Sequence, residues 1–260
     1  MDVSFKRLGS DYIDLYILHT WDKVTPAEEV MRTLDDLVSS GKIRHIGLSD
    51  VPAWYAARAQ TIAEYRNYEP ISALQLEYSL AERNIEREFI TLGQNLGMGT
   101  MVWSPFASGL LSGKYKPSEG GVSGSGRLDV TRDVDNPAFQ KVNDRNWKIV
   151  AELETVAKEL GRSMAQVAVN WTVNRPGIAS VIVGASKLSQ LEDNIKALDF
   201  DIPSELSNRL ENVSKPQSQF PYTFFDGEIQ GMIHGGATVG DKPNGYQPGV
   251  LIDSAGGGVS

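Results

Sequence analysis

A chain of 260 residues holds one large domain or two small ones, and its 41% apolar and 22% charged content is that of an ordinary globular protein. The formal charge of −8, from 25 Lys and Arg against 33 Asp and Glu, disfavours nonspecific nucleic-acid binding, which depends on clustered cations. Zero cysteines exclude disulfides, thiolate zinc sites and a cysteine nucleophile, three scattered histidines argue against a metal centre, and neither a membrane span nor a secretory leader is legible, so a cytoplasmic protein is expected.

Short apolar runs alternate with amphipathic helical stretches, the pattern of consecutive βαβ units. After a partial helix over residues 4–8, residues 11–19 (DYIDLYILH) are nearly continuously apolar, as a strand buried on both faces requires. Thr25 and Glu28 have capping-box spacing with Pro26 at the first helical position, and the helix they open carries Val30, Leu34 and Leu37 on one face before stopping at Gly41. Residues 42–48 read as a strand, 52–66 as a helix, 73–78 as a strand, 85–96 as a helix ending at Gly97, and 100–103 as a fourth strand. A Gly/Ser-rich stretch, 118–127, is too polar to pack and reads as a mobile surface loop.

Helices follow over 145–160 and 163–173, the second opened by Ser163 with Gln166 three residues on. Residues 180–183 (SVIV) form the fifth strand, 188–198 its helix, and 204–213 a peripheral helix. The aromatic run at 220–225 is expected to dock on the body, whereas residues 226–260, with GG and GGG and few large side chains, are expected to be a disordered tail. The domain reading is therefore a barrel part over 1–225 and a Gly-rich extension over 226–260.

Three pieces of sequence, DYIDLYILHTWD, GKIRHIGLSD, and WSPFASGLLSGKY with IVGASKLSQLEDN further on, resemble the aldo-keto reductase family from about Phe5 to about Phe225. Each motif falls at the C-terminal end of a predicted strand, the rim where barrel enzymes build their sites. The resemblance implies an α/β fold: an incomplete (β/α)8 TIM barrel that retains about five β/α units. It also implies an oxidoreductase that reduces aldehydes or ketones with NADPH, NADH being an alternative, and a small-molecule carbonyl substrate. No metal is implied. No GxGxxG follows a strand, so a Rossmann domain is not expected.

Carried over residue by residue, His19 corresponds to the histidine that orients the substrate carbonyl. Ser49, Asp50 and Gln75 correspond to the groups that bind the nicotinamide carboxamide, with Asp50 standing where the family often has asparagine. A primary amide has two donor hydrogens and an acceptor, which a hydroxyl, a carboxylate and an amide side chain satisfy together. Asp50 also has the chemistry of a helix cap for the stretch after it. Trp103 corresponds to the aromatic on which the nicotinamide stacks. Ser104, Pro105, Phe106, Ser108, Gly109 and Leu110 correspond to the loop around the pyrophosphate, with Lys114 and Arg127 as nearby cations. Gly184, Ser186, Lys187, Gln190, Asp193 and Asn194 correspond to the adenosine end, Gln190 standing where strictly NADPH-dependent members carry arginine.

The family mechanism also uses an aspartate, a tyrosine and a lysine from strands preceding the histidine, and no residue before His19 matches them, so one of four catalytic groups is expected here. A closed barrel needs eight units. Open parallel edges and bare core faces are association-prone, so either a truncated gene model or self-association through the edges is expected. The alternatives to an enzyme are a non-catalytic NADP(H)-binding regulatory module, as in the potassium-channel β-subunit branch of the family, and an edge-mediated interaction protein.

Overall fold

A computed structural model describes residues 2–118, 121–124, 126–128, 134, 136, 139–225, 227–233 and 235. The chain divides into two compact units, Met1–Lys215 and Pro216–Ser260. The first unit is built on a parallel sheet of β1 (Ile13–Leu18), β2 (Ile43–Ser49), β3 (Ile71–Glu77), β4 (Gly99–Trp103) and, after the hairpin described below, β7 (Ile178–Val181). Its spatial order follows the chain, each strand pairing in parallel with the one before. Helix α1 (Asp2–Leu8) precedes the sheet, α2 (Ala27–Ser39), α3 (Ala53–Arg66) and α4 (Phe89–Leu96) are the crossovers, and α5 (Asp144–Leu160), α6 (Met164–Val173), α7 (Leu188–Ile195) and α8 (Ser204–Ser214) complete the unit. Sequential parallel strands with helical crossovers are the architecture of part of a (β/α)8 barrel.

The two faces of the sheet differ. Ile46, Leu48, Leu74, Leu76 and Val102 point to the helical side and are almost wholly buried. The alternate residues, paired across the strands as Ile17 with Gly47, Ser49 with Gln75 and Glu77 with Trp103, are more mixed, with polar side chains toward the strand ends. Side chains alternate with period two, so this second face leads residue by residue to the strand ends where Ser49, Gln75, Glu77 and Trp103 stand together. Gly47 makes room there: a Cβ at that position would lie 2.8 Å from Cγ1 of Ile17.

Several sequence expectations need correction. No residue of β1 is fully buried, because among the described residues the strand pairs only with β2 and so lies at the sheet edge. The Thr25–Glu28 capping box does not form: Thr25 gives its backbone N–H and hydroxyl to Asp22, and α2 begins without a side-chain cap. The helix expected over 85–96 is a 3-10 turn, Asn84–Arg87, followed by α4, since Arg83 and Glu86 are drawn into a buried ion-pair cluster. The fifth strand lies two residues earlier than expected. The stretch expected as loop, 118–127, is not all loop, because its β6 (Gly121–Ser123) pairs antiparallel with β5 (Lys116–Ser118). The capping box at Ser163 and Gln166 does form.

Polar ties fix the helices to the sheet. The buried Gln60 on α3 accepts the Ile71 N–H at 2.9 Å, setting the start of β3. Arg83 bonds Glu86, Glu211 and Ser214, binding the β3–α4 connection to the end of α8. Burial alone would depress the Arg83 pKa, but the two carboxylates outweigh it and raise it. On α7 and the turn after it, Leu188, Leu191, Ile195 and Leu198 are all exposed at helical spacing, an apolar stripe on the helix that follows β7 in the chain.

In the second unit, a 3-10 turn at Tyr222–Phe225 precedes α9 (Gly227–Ile233), with Phe220 packed edge-on against Phe224. Most of the expected tail, 226–260, lies outside the described residues.

Candidate functional site

The C-terminal ends of β1 to β4 carry the first group of candidate residues. Ser49 closes β2, and Asp50 turns the chain out of the sheet in the left-handed region at φ 48°. Such a backbone is uncommon for a residue other than glycine and least strained for Asn and Asp. The turn is fixed by the Asp50 N–H donating to the Gln75 carbonyl at 3.2 Å. Oδ1 of Asp50 then accepts from the indole Nε1 of Trp103 at 3.2 Å, and Oδ2 accepts from the Ser49 hydroxyl at 3.2 Å. Burial raises the Asp50 pKa from its ordinary value, opposed by these two hydrogen bonds and by His19 beyond the end of β1. Ser49 is buried, Gln75 and Trp103 are half-buried, and His19 is exposed.

Sequence reasoning missed Glu77 and Lys141. Two residues after Gln75 on the same face of β3, Glu77 forms an ion pair with Lys141 at 2.8 Å, and both are largely buried. Burial raises the Glu77 carboxyl pKa, opposed by Lys141 and reinforced by Glu82 and Asp50. The period-two spacing from Gln75 was a usable signal for Glu77. For Lys141, which reaches the rim from just before α5, the sequence held none.

The second group follows β4. Ser104, Ala107, Ser108 and Gly109 all have positive φ, at 59°, 47°, 60° and 95°. Three of the four bear a Cβ, a concentration of backbone strain of the kind found at ligand-holding loops. The loop is held from within: Ser104 Oγ accepts the Ser108 N–H at 3.3 Å, and Phe106 O accepts the Gly109 N–H at 2.9 Å. The side chains of Pro105 and Leu110 are buried, leaving mainly backbone at those positions. Lys114 is exposed, with its ammonium group beside Gly109 and Gly126, where an added Cβ would lie 2.8 Å and 2.5 Å from Nζ. The Tyr115 hydroxyl accepts the Leu128 N–H at 3.1 Å, which brings the exposed Arg127 into the same neighbourhood.

The third group lies between β7 and α7. Gly184, Ser186, Lys187 and Gln190 are exposed. Oε1 of Gln190 accepts both the backbone N–H of Ser186, at 2.9 Å, and its hydroxyl, at 3.1 Å. Asp193 is turned the other way, its two oxygens accepting from Ser163 Oγ and Gln166 Nε2, each at 2.7 Å, so that it ties α7 to the start of α6. Asn194 is buried.

The strand-end group has the donors and acceptors of a primary-amide site: a carboxylate and a hydroxyl in mutual contact, next to the Gln75 side-chain amide, which has no hydrogen-bond partner among the described residues. A half-buried amide without a partner among the described residues, paired across the sheet with Ser49, fits the carboxamide end of a nicotinamide. Among the described residues no cluster of His, Cys, Asp or Glu could hold a metal, and no helix is long and apolar enough to cross a membrane.

Residues 1–215 match the model of the Aldo/keto reductase family. An uncharacterized oxidoreductase of Bacillus subtilis is 33% identical over 213 residues, 82% of this chain and 62% of that protein. A probable voltage-gated potassium channel subunit beta of Oryza sativa subsp. japonica is 35% identical over 225 residues, 84% of this chain and 67% of that protein. An aryl-alcohol dehydrogenase [NADP(+)] of Phanerodontia chrysosporium is 29% identical over 241 residues, 92% of this chain and 62% of that protein. The chain spans about three fifths of the length of several of the curated relatives it matches. It belongs to the aldo/keto reductase family.

Proposed function

We propose that this aldo/keto reductase family chain binds a nicotinamide dinucleotide, with NADP(H) preferred, along the strand-end rim, as the cofactor-holding part of an enzyme that interconverts carbonyl compounds and alcohols. The observation that carries the reading is the bonded set of Ser49, Asp50 and Trp103 at the strand ends, with Gln75, whose side-chain amide has no partner among the described residues, opposite Ser49 in the sheet. In this reading Ser49, Asp50 and Gln75 hold the carboxamide and Trp103 provides the stacking face. The strained loop from Ser104 to Leu110 follows the diphosphate with Lys114 and Arg127 supplying positive charge. Gly184, Ser186, Lys187 and Gln190 meet the adenosine end, with Asp193 and Asn194 behind them. When bound, the reduced nicotinamide supplies the hydride. His19, exposed at the end of β1, donates a hydrogen bond to the carbonyl oxygen and stabilises the charge that grows there.

Similarity to proteins named aryl-alcohol dehydrogenase favours an aromatic aldehyde or alcohol as substrate. A cytoplasmic setting and a division near residue 225 belong to the same reading. Only His19 among the residues of this chain matches the family's four catalytic groups, so the 260-residue chain assayed by itself is expected to bind cofactor without turnover. Titration with NADPH, read by quenching of tryptophan fluorescence, tests the site, and oxidation of NADPH in the presence of benzaldehyde tests turnover. Absence of nucleotide binding would sink the proposal.

A second reading, self-association, is favoured by the exposed stripe of Leu188, Leu191, Ile195 and Leu198. A regulatory nucleotide-binding role is the third, favoured by the similarity to proteins named as potassium channel β subunits.

A further inference from the structure

We infer that Asp50 selects the redox form of the nicotinamide cofactor, its carboxylate favouring the oxidised, positively charged ring over the neutral reduced one. The inference rests on the cofactor site proposed above and adds a property that amide recognition does not require. Binding a carboxamide needs only an acceptor at this position, which asparagine would supply equally. A carboxylate adds a charge.

The geometry describes that charge. Oδ1 of Asp50 accepts from the Trp103 N–H and Oδ2 from the Ser49 hydroxyl, two bonds that favour the ionised carboxylate. Its neighbour Glu77 is neutralised by Lys141 at 2.8 Å, so that pair adds no net charge to the rim. His19 is the other titratable group acting on Asp50. The negative charge therefore lies at the edge of the Trp103 indole, within a ring's width of anything stacked on that face. The φ of 48° sets the Asp50 backbone at the rim, and the bonds from Trp103 and Ser49 aim its carboxylate there.

Oxidised nicotinamide carries one positive charge that the reduced ring lacks. Two unit charges a ring's width apart at a partly solvated site shift an equilibrium by about tenfold. Removing the charge should weaken binding of the oxidised form selectively.

The test uses the full chain and the variants Asp50→Asn and Asp50→Ser, the first tolerating the left-handed backbone as well as aspartate does. Circular dichroism verifies the fold of each variant. Isothermal titration with NADP+, NADPH, NAD+ and NADH gives the ratio of oxidised to reduced dissociation constants for each phosphate class. The expected result is a ratio about tenfold higher in both variants, chiefly through loss of affinity for the oxidised form. Binding of both forms with a ratio unchanged within about twofold overturns the inference while leaving the site intact. Failure of all four nucleotides to bind the unsubstituted chain overturns the site itself, and the inference with it.

Discussion

Trp103 and Asp50 meet across β3: the indole N–H at the end of β4 donates to a carboxylate just beyond the end of β2, at 3.2 Å, although those strands are not neighbours in the sheet. The bond fixes the tilt of the indole and the direction of the carboxylate together, so each residue orients the other. Replacing Trp103 with Phe keeps an aromatic face and removes the donor. The expected outcome is nucleotide binding weakened by a few-fold and an Asp50 pKa raised further, because a hydrogen bond that lowers it is gone. Trp103→Ala should weaken binding by about tenfold or more through loss of the stacking surface. Fluorescence titration and carboxyl-carbon NMR measure the two effects.

The buried pair of Glu77 and Lys141 predicts an asymmetric mutational response. Lys141→Met leaves a buried carboxylate alone and should cost about 3–5 kcal/mol at neutral pH, whereas Glu77→Gln with Lys141→Met should recover most of that loss. In the single variant the Glu77 pKa, already raised by burial, rises further. A carboxyl whose folded-state pKa is raised binds protons more readily folded than unfolded. The deficit of Lys141→Met should therefore shrink as pH falls from 7 toward the ordinary carboxylate range, and urea melts across that range check it.

Gln190 holds the Ser186 N–H and hydroxyl that a bound phosphate oxygen would use. Gln190→Arg frees both and adds a cation, so affinity for NADPH should rise by about tenfold while affinity for NADH changes little. Parallel titrations with the two reduced nucleotides separate the outcomes.

Asp193 joins α7 to the cap of α6 through Ser163 and Gln166. Asp193→Asn weakens two charge-assisted bonds and should lower stability by about 1–2 kcal/mol. A stability loss with little change in NADPH affinity would assign Asp193 to the scaffold, whereas a loss of affinity in a chain of unchanged stability would assign it to the nucleotide.

The exposed stripe on α7 predicts concentration-dependent association. Leu191→Lys with Ile195→Glu should shift the sedimentation coefficient toward the monomer value with only a small change in melting temperature, since both side chains are exposed.

The strand–helix alternation was legible because apolar periodicity records local geometry, and five strands in chain order followed from it. The motifs at the strand ends were legible because short stretches such as GLSD and WSPFASG carry their own turn chemistry. Edge exposure was not: the apolar run in β1 reads like any buried strand, and only the absence of a second neighbour among the described residues leaves it half-open. Capping was legible at Ser163, whose hydroxyl still accepts the Gln166 N–H while donating to Asp193, and misread at Thr25, where Asp22 three residues earlier takes its N–H and hydroxyl.

The sequence by itself determined the family, the order of the β/α units and the rim on which the candidate residues lie, because these follow from patterns within a dozen residues of one another. Tertiary structure decided which of those residues share an environment. It set Asp50 against Trp103 from 53 positions away, brought Lys141 to Glu77, and turned Asp193 toward α6 rather than outward. Hydrogen bonds and ion pairs act over a few ångströms of space whatever the separation along the chain, so such partnerships leave no trace in local sequence.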